Sequence, residues 1–434
     1  MSVAGKRKGL VIVAVFWVVI VLEAIAVFAL QNGWLDTLVS LGQVEELRCK
    51  WGGRAGVEKA IAVLNEDIRV SDSLTDLWSD NDVDFNDVAL GRCWFDVRVT
   101  DEAGKLNVNV ATREQLLGLP NMTEDVADAI IDWRDEDEIQ STSGVESGFY
   151  ANLRYAYSIR NGPFRTIREL LLVKGVTEEL FYGEDTNFND ELDFNESDGD
   201  ESPPADDGDS ELDRGWISYL TCYSYDKNTD AQGSPRVNIN EADSDKLESS
   251  LGISKSYAKW IVDNRPNKGY ESIADLVSDS SPKEATKSSK ENPEEASPLD
   301  LATFVEISDK ITVSSEEMTA GKVNINTAPR EVLVALLGYD DEAQRAANEI
   351  VALRSGMVGG MESIGELLYS ESIKVSVFKR IANYITARSD VYTIRCLSFA
   401  NRGGRVGRRL QTEAVVDRNS SPCRVLYWYQ GAGN

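Results

Sequence analysis

"KRKGLVIVAV", residues 6–15, joins three cations and a glycine to an abrupt apolar wall, and its reading decides where the rest of the chain is placed. Leu10 to Leu30 is a run of 21 positions broken by one charge, Glu23. As a helix this run spans about 32 Å, enough to cross a bilayer. Lys6, Arg7 and Lys8 hold their end on the cytoplasmic side, which puts everything after Leu30 across the membrane. A cleaved secretory signal has a shorter apolar region and a small-residue cleavage site after it. Here the run is long and no such site follows. Beyond Leu30 helical spacing continues through Leu35, Leu38, Leu47, Trp51, Val57, Ile61, Leu64 and Ile68. Gly33, Gly42 and the Gly52-Gly53 pair loosen such a helix without ending it. Two readings fit: one helix over 10–69, membrane-spanning over 10–30, or an anchor followed by a separate amphipathic helix.

The 434 residues exceed one compact core and predict two or three domains. A net charge of -28 argues against a polyanionic partner, because phosphate binding runs on clustered Lys and Arg. From Tyr182 to Asp213 there are fourteen acids and no Lys or Arg, whereas Arg388 to Asn434 holds eight Arg against three acids. No histidine occurs, which excludes Ser-His-Asp and Cys-His nucleophiles and the His-containing zinc sites. Cys49, Cys93, Cys222, Cys396 and Cys423 are scattered without a CxxC pair, which argues against a Cys-only zinc site. Outside the cytoplasm an odd count leaves a free or intermolecular thiol. Cys396 and Cys423 lie in neighbouring strand-like runs, so a bridge between them is one of the open pairings.

The short basic leader, the glycine and the apolar helix running into a polar region resemble the class III signal of type IV pilins and type II secretion pseudopilins. The resemblance implies that a prepilin peptidase removes residues 1–9, cutting after Gly9 and leaving Leu10 as the new N-terminus. That family's glutamate at the fifth mature position is replaced by Ala14. In the family this side chain is held to neutralise the N-terminal amine of the subunit above. A subunit with no neighbour above does without it, so the departure favours a tip subunit.

Three stretches repeat: "KLNVNVATREQL" from 105, "RVNINEADSDKL" from 236 and "KVNINTAPREVL" from 322. Each predicts a short strand or turn ending at a helix start, with Asn and Thr as caps. Each is followed by a helix ending near an arginine (Arg134, Arg265, Arg354), then by a related second half: "GPFRTIRELL", "KGYESIADLV" and "GGMESIGELL". This is an internal repeat of a small helical unit, near 105–181, 236–277 and 322–388. The unit resembles the helix-hairpin-helix, whose Gly-apolar-Gly turn lets backbone N–H groups approach phosphate. In "LPNMTED", "LGISKS" and "LGYDDE" the second glycine is replaced by Thr123, Ser254 and Asp340, and Asp340 repels an anion. Lys105 to Glu179 carries eight basic and thirteen acidic residues. The repeats therefore read as scaffold, with no nucleic-acid partner. The 278–298 stretch has no aromatic, Val, Ile or Leu and predicts a flexible surface loop.

Strand patterns flank the repeats. "CWFDVRVTDEAGKLNV" (93–108) alternates, and three runs follow near 391–400, 409–418 and 423–430. The expected fold class is α+β: a pilin-like long N-terminal helix and a small antiparallel sheet built from 92–104 and 389–434. A large α-helical domain, 105–388, is inserted between the strands. With "DWRDED" (132–137), "NGPF" (161–164) and the missing glutamate, this order looks like the type II secretion minor pseudopilin K family. The resemblance implies a protein of the inner membrane and periplasm that caps the pseudopilus tip. It implies other minor pseudopilins, the major pseudopilin and the prepilin peptidase as partners, and no catalysis.

"DTNFNDELDFNE" (185–196) numbers as a twelve-residue calcium loop. Asp185, Asn187 and Asn189 stand at its first, third and fifth places, the Glu191 carbonyl at the seventh, Asp193 at the ninth and Glu196 at the bidentate twelfth. Asp190 replaces the usual turn glycine, and Asp198 and Asp200 offer a second ion oxygen ligands. The plain alternative is a solvated acidic linker over 182–213. The family resemblance implies calcium in the inserted domain, with an affinity of roughly 10⁻⁴ to 10⁻³ M as in extracellular modules. "DNDVDFND" (80–87) lacks the rest of the pattern and reads as a capped loop. Two other classes stay open: a membrane-anchored DNA receptor of the competence type using the hairpins, and a hydrolase using paired carboxylates, for which no pair is singled out.

Overall fold

Helix α1 runs unbroken from Ala4 to Glu66 in the computed structural model, about 95 Å at 1.5 Å per residue. The structure describes residues 4–432 apart from 186–187, 189–191, 200, 203, 205, 207, 278–297, 403–404 and 421. The expected surface loop at 278–298 thus falls, except for Pro298, outside the described residues. A separate second helix does not form. Gly33 and Gly42 stay inside α1 with open space where a Cβ would stand, so they cost helix propensity but interrupt nothing. Among the described residues the first half of α1 packs on nothing: Phe16, Trp17 and Phe28 are 64–66% exposed.

The second half is different. Val57, Ala60 and Leu64 are buried against Phe95, Val97, Tyr392, Ile394, Ala414 and Val416. Gly52, Gly53 and Gly56 let the helix sit close on the strands, because a Cβ there would run into Cys93, Thr412 and Cys396 respectively. After α1 the 80–87 loop is capped, with the Asn81 side chain accepting from the Asp84 amide. The chain then forms β1 (Val88–Leu90) and β2 (Cys93–Asp101), paired antiparallel.

Each inserted unit opens on a two-residue strand: β3 (Leu106–Asn107), β6 (Val237–Asn238) and β9 (Val323–Asn324). Each closes on a parallel partner that its repeat pattern did not reveal: β4 (Leu220–Thr221), β7 (Ile311–Thr312) and β10 (Ile385–Thr386). A further antiparallel pair, β5 (Tyr225–Asp226) with β8 (Thr319–Ala320), links the stretches between units.

The repeated asparagines explain why the unit folds locally. The first closes an Asx turn by accepting from the amide two residues on: Asn107 at 3.0 Å, Asn238 at 2.9 Å and Asn324 at 3.0 Å. The second clamps both backbone groups of one residue in the second half. Asn109 holds Phe164, Asn240 holds Tyr270 and Asn326 holds Met361, at 2.7–3.1 Å. The helix-end arginines reach back to the loop carbonyls: Arg134 to Val108 and Ala111, Arg265 to Ala242, Arg354 to Ile325 and Ala328. Thr166, Ser272 and Ser363 form capping boxes with Glu169, Asp275 and Glu366. The three units share one continuous apolar core, from Leu106 through Ile261 to Ile385.

The chain returns to the sheet as β11 (Val391–Arg402), β12 (Arg405–Asp417) and β13 (Arg424–Ala432), giving the order β1-β2-β11-β12-β13. β2 and β11, almost 300 positions apart, pair over nine residues from Tyr392↔Asp101 to Ala400↔Cys93. The α+β arrangement is therefore a long helix laid on an antiparallel sheet, with a three-unit helical domain inserted between the strands. Cys396 and Cys423 are not brought together, because β12 lies between their strands. Cys396 Sγ faces the Gly52 carbonyl at 4.0 Å and Cys423 Sγ donates to Asn65 Oδ1 at 3.2 Å, places about 20 Å apart along α1.

Candidate assembly and metal sites

Gly9 and Leu10 lie inside the first turns of α1. The exposed apolar half that follows is long and apolar enough to cross a membrane, and none of its most apolar stretch is buried. An unpartnered surface of this length cannot stay in water, so it belongs in lipid or among other helices.

At the hairpin turns that the sequence likens to the helix-hairpin-helix, this chain places its own oxygen atoms. Asp340 caps the helix Asp341–Ser355, accepting from the Ala343 amide at 2.7 Å. Arg380 sits on Asp340 and Glu342 at 3.5 and 2.9 Å. Ser254 caps the equivalent helix in the second unit, Lys255–Asp263. A carboxylate at the helix N-terminus already occupies the place an anion would take.

Of the six residues expected to hold calcium, Asn187, Asn189 and Glu191 lie outside the described residues. Asp185 and Glu196 are buried, as is neighbouring Glu184, and a solvated linker would not bury them. Glu184 Oε2 accepts from the Asp213 amide at 2.9 Å, and the Gly183–Arg214 bridge ties the two ends of the segment together. Asp193 and Glu196 cap one turn reciprocally, with Glu196 Oε2 accepting from the Asp193 amide at 3.1 Å. Further on, Asp206 accepts from the amides of Asp198, Gly199 and Gly208. Buried hard oxygens of this kind fit a calcium ion chemically.

A second convergence was not singled out from the sequence. Carboxylate oxygens of Asp135, Asp137 and Glu146 lie within 4.8 Å of one another. Both Glu146 oxygens and Asp135 Oδ1 are shut off from solvent without a hydrogen-bond donor, and so is Asn161 Oδ1. Burial, then repulsion from Asp132, Asp135, Glu138 and Asp137, pushes Glu146 up to about 7. "DWRDED" shows two of these acids, but the third arrives through the loop after it, held by Asp128 and Asp132 accepting from Ser143 and Ser141.

A crystal structure of the GspK-GspI-GspJ complex of the enterotoxigenic Escherichia coli type 2 secretion system contains a chain similar to this one. Its sequence identity is 13%, the TM-score is 0.41, and the alignment covers 90% of this chain and 99% of that one. No curated protein matches the sequence. The sequence model of type II secretion system protein K matches residues 97–182, from β2 into the first helical unit. This segment, which holds the "DWRDED" and "NGPF" motifs, is thus similar to the first domain of type II secretion system protein K.

Proposed function

We propose that this chain is a minor pseudopilin that caps the tip of the type II secretion pseudopilus and helps to start its assembly, without catalysis. It is inserted in the inner membrane through residues 10–30, is processed after Gly9 by a prepilin peptidase, and carries its bulk in the periplasm. Its apolar helix then leaves lipid to pack against the helices of other minor pseudopilins and the major pseudopilin. The observation that carries this reading is α1 itself: one rigid helix whose first half is an unpartnered apolar surface and whose second half is fixed to a sheet. Exposing the apolar side chains of this 21-position run to water costs tens of kcal/mol at about 25 cal/mol per Å², so the segment always needs partners. Ala14 in place of the family's glutamate suits a subunit with none above it.

Mass spectrometry of the protein made with and without a prepilin peptidase tests this. The expected result is a mature N-terminus at Leu10 only with the enzyme, with sister subunits then cross-linking to the helix. A chain that stays uncut and embedded overturns the reading. The competence-type DNA receptor predicts salt-sensitive duplex binding, which the Asp340 carboxylate and the charge of -28 oppose. Binding at low salt would favour it instead.

Calcium in the 185–196 loop belongs to this proposal, with the ion neutralising a segment that otherwise repels itself. The donor-free oxygens of Asp135 and Glu146 favour a second location for such an ion. Calorimetry separates them. Loss of calcium binding in Asp185→Ala/Glu196→Ala supports the loop, loss in Glu146→Gln/Asp137→Asn supports the cluster, and unchanged binding in the first variant retires the loop.

A further inference from the structure

Where α1 meets the sheet, two cysteines 44 positions apart in sequence come together. Cys49 is fully buried and packs on Ala400 and Leu410. Ala400 is the cross-strand partner of Cys93, so Cys93 lies beside the same spot. From the helix side, a Cβ on Gly52, one turn after Cys49, would stand 2.6 Å from Cys93 Sγ. The two thiols are near enough that each influences the ionisation of the other. Each also meets a backbone carbonyl, Arg408 O at 3.3 Å for Cys49 and Trp94 O at 3.4 Å for Cys93. Cys396 is directed at the Gly52 carbonyl, while Cys423 sits by Asn65.

We propose that Cys49 and Cys93 are joined by a disulfide in the assembled protein, bolting α1 to β2 near the point where the helix leaves the sheet. This rests on the extracytoplasmic placement above, since disulfides persist there and are reduced in the cytosol. The step is an exchange with an oxidised dithiol, either oxidised glutathione or a disulfide-donating protein. One cysteine attacks as thiolate and forms a mixed disulfide, and the second displaces the donor's sulfur. Two electrons and two protons pass to the donor, which leaves as two thiols. Burial pushes Cys93 up to about 11 and raises Cys49 too, so the packed thiols exchange slowly. With one bridge, three of the five cysteines remain thiols. The bond closes the chain from Cys49 through the loop and β1 to β2, so α1 is held to its head covalently as well as by packing.

The test uses the full chain in its membrane, acid-quenched and alkylated before reduction, then peptide-mapped. The expected result is three alkylated cysteines and a peptide linking Cys49 to Cys93. Cys49→Ser should free Cys93 alone, and reduction should lower the melting temperature by about 5–10 °C in the unmodified chain but not in the variant. Five alkylated cysteines, or a Cys93–Cys396 link, overturns the proposal. Protease treatment of spheroplasts decides the placement separately. A protected head ends the extracytoplasmic reading, and refolding of the reduced, denatured chain in detergent with oxidised glutathione then decides the pairing. A chain that keeps both thiols there also overturns it.

Discussion

Arg418 is 1% exposed and lies between two carboxylates, with Nη2 on Asp72 Oδ1 at 2.6 Å and Nη1 on Asp67 Oδ2 at 2.8 Å. Tyr392 donates to Asp72 at 2.7 Å, and the Asp72 carbonyl accepts from Asn324 of the third helical unit at 3.0 Å. One buried charge network thus ties the end of α1, the sheet and the inserted domain. Arg418→Met strands Asp72, which is 0% exposed, and should cost about 3–5 kcal/mol in urea unfolding. Arg418→Met/Asp72→Asn should recover much of that, and a double variant as unstable as the single one contradicts the pairing. Asp101 nearby behaves differently. Burial pushes it up to about 6, against hydrogen bonds from Ser389, Thr327 and Asn324 that favour its charged form. Its folded pKa lies above the unfolded value, so the native chain binds the extra proton between about pH 4 and 6. This group's contribution is therefore full below pH 4 and is lost as pH rises through 6, about 3 kcal/mol in all. Carboxyl-carbon NMR should show a midpoint near 6, and one below 4 would refute this account.

The helical unit depends on side chains that imitate backbone. Asn326 is 2% exposed, and its amide satisfies both the N–H and the C=O of Met361. Asn326→Ala leaves both groups buried without partners and should cost about 2–4 kcal/mol, with faster hydrogen exchange at the Met361 amide. The same change at half-buried Asn109, where water can replace the lost bonds, should cost less. At the seam between α1 and the sheet the demand is for absence of a side chain. Gly56 faces Cys396, Val97 and Phe95, none of which can withdraw. Gly56→Leu should lift α1 from the sheet and destabilise the head by about 3 kcal/mol or more, while Gly42→Leu, in open space, should stabilise the helix slightly. Equal unfolding midpoints for the two variants would show that the close approach is unimportant.

At the scale of the molecule, α1 belongs to two environments. Its apolar half makes no contribution to the core, whereas Val57, Ala60 and Leu64 are part of it. Removing residues 1–30 should therefore yield a head that needs no detergent and unfolds at the same urea concentration as the full chain. A loss of more than about 1 kcal/mol would mean that the N-terminal half supports the fold. Removing residues 1–56 instead strips Cys49, Gly52 and Gly56 from the seam and should leave a destabilised sheet.

The amino-acid order by itself determined what rests on short-range pattern. It contained the apolar run and the helical spacing after it, the alternation of β2 and the three final strands, and the thrice-repeated N-x-N with its arginine. Each of these is settled by residues within a few turns or one strand of each other, where periodicity and capping act. Whether α1 is one helix or two was beyond it, because glycines tolerate either outcome until the sheet packs on the second half. The clamp partners Phe164, Tyr270 and Met361 stand 30 to 55 positions from their asparagines. The meeting of Cys49 with Cys93, the separation of Cys396 from Cys423, and the convergence of Asp135, Asp137 and Glu146 were decided only in three dimensions. Strand order and register, and the distance at which a helix can ride over a sheet, set which distant side chains touch, and no local spacing encodes them.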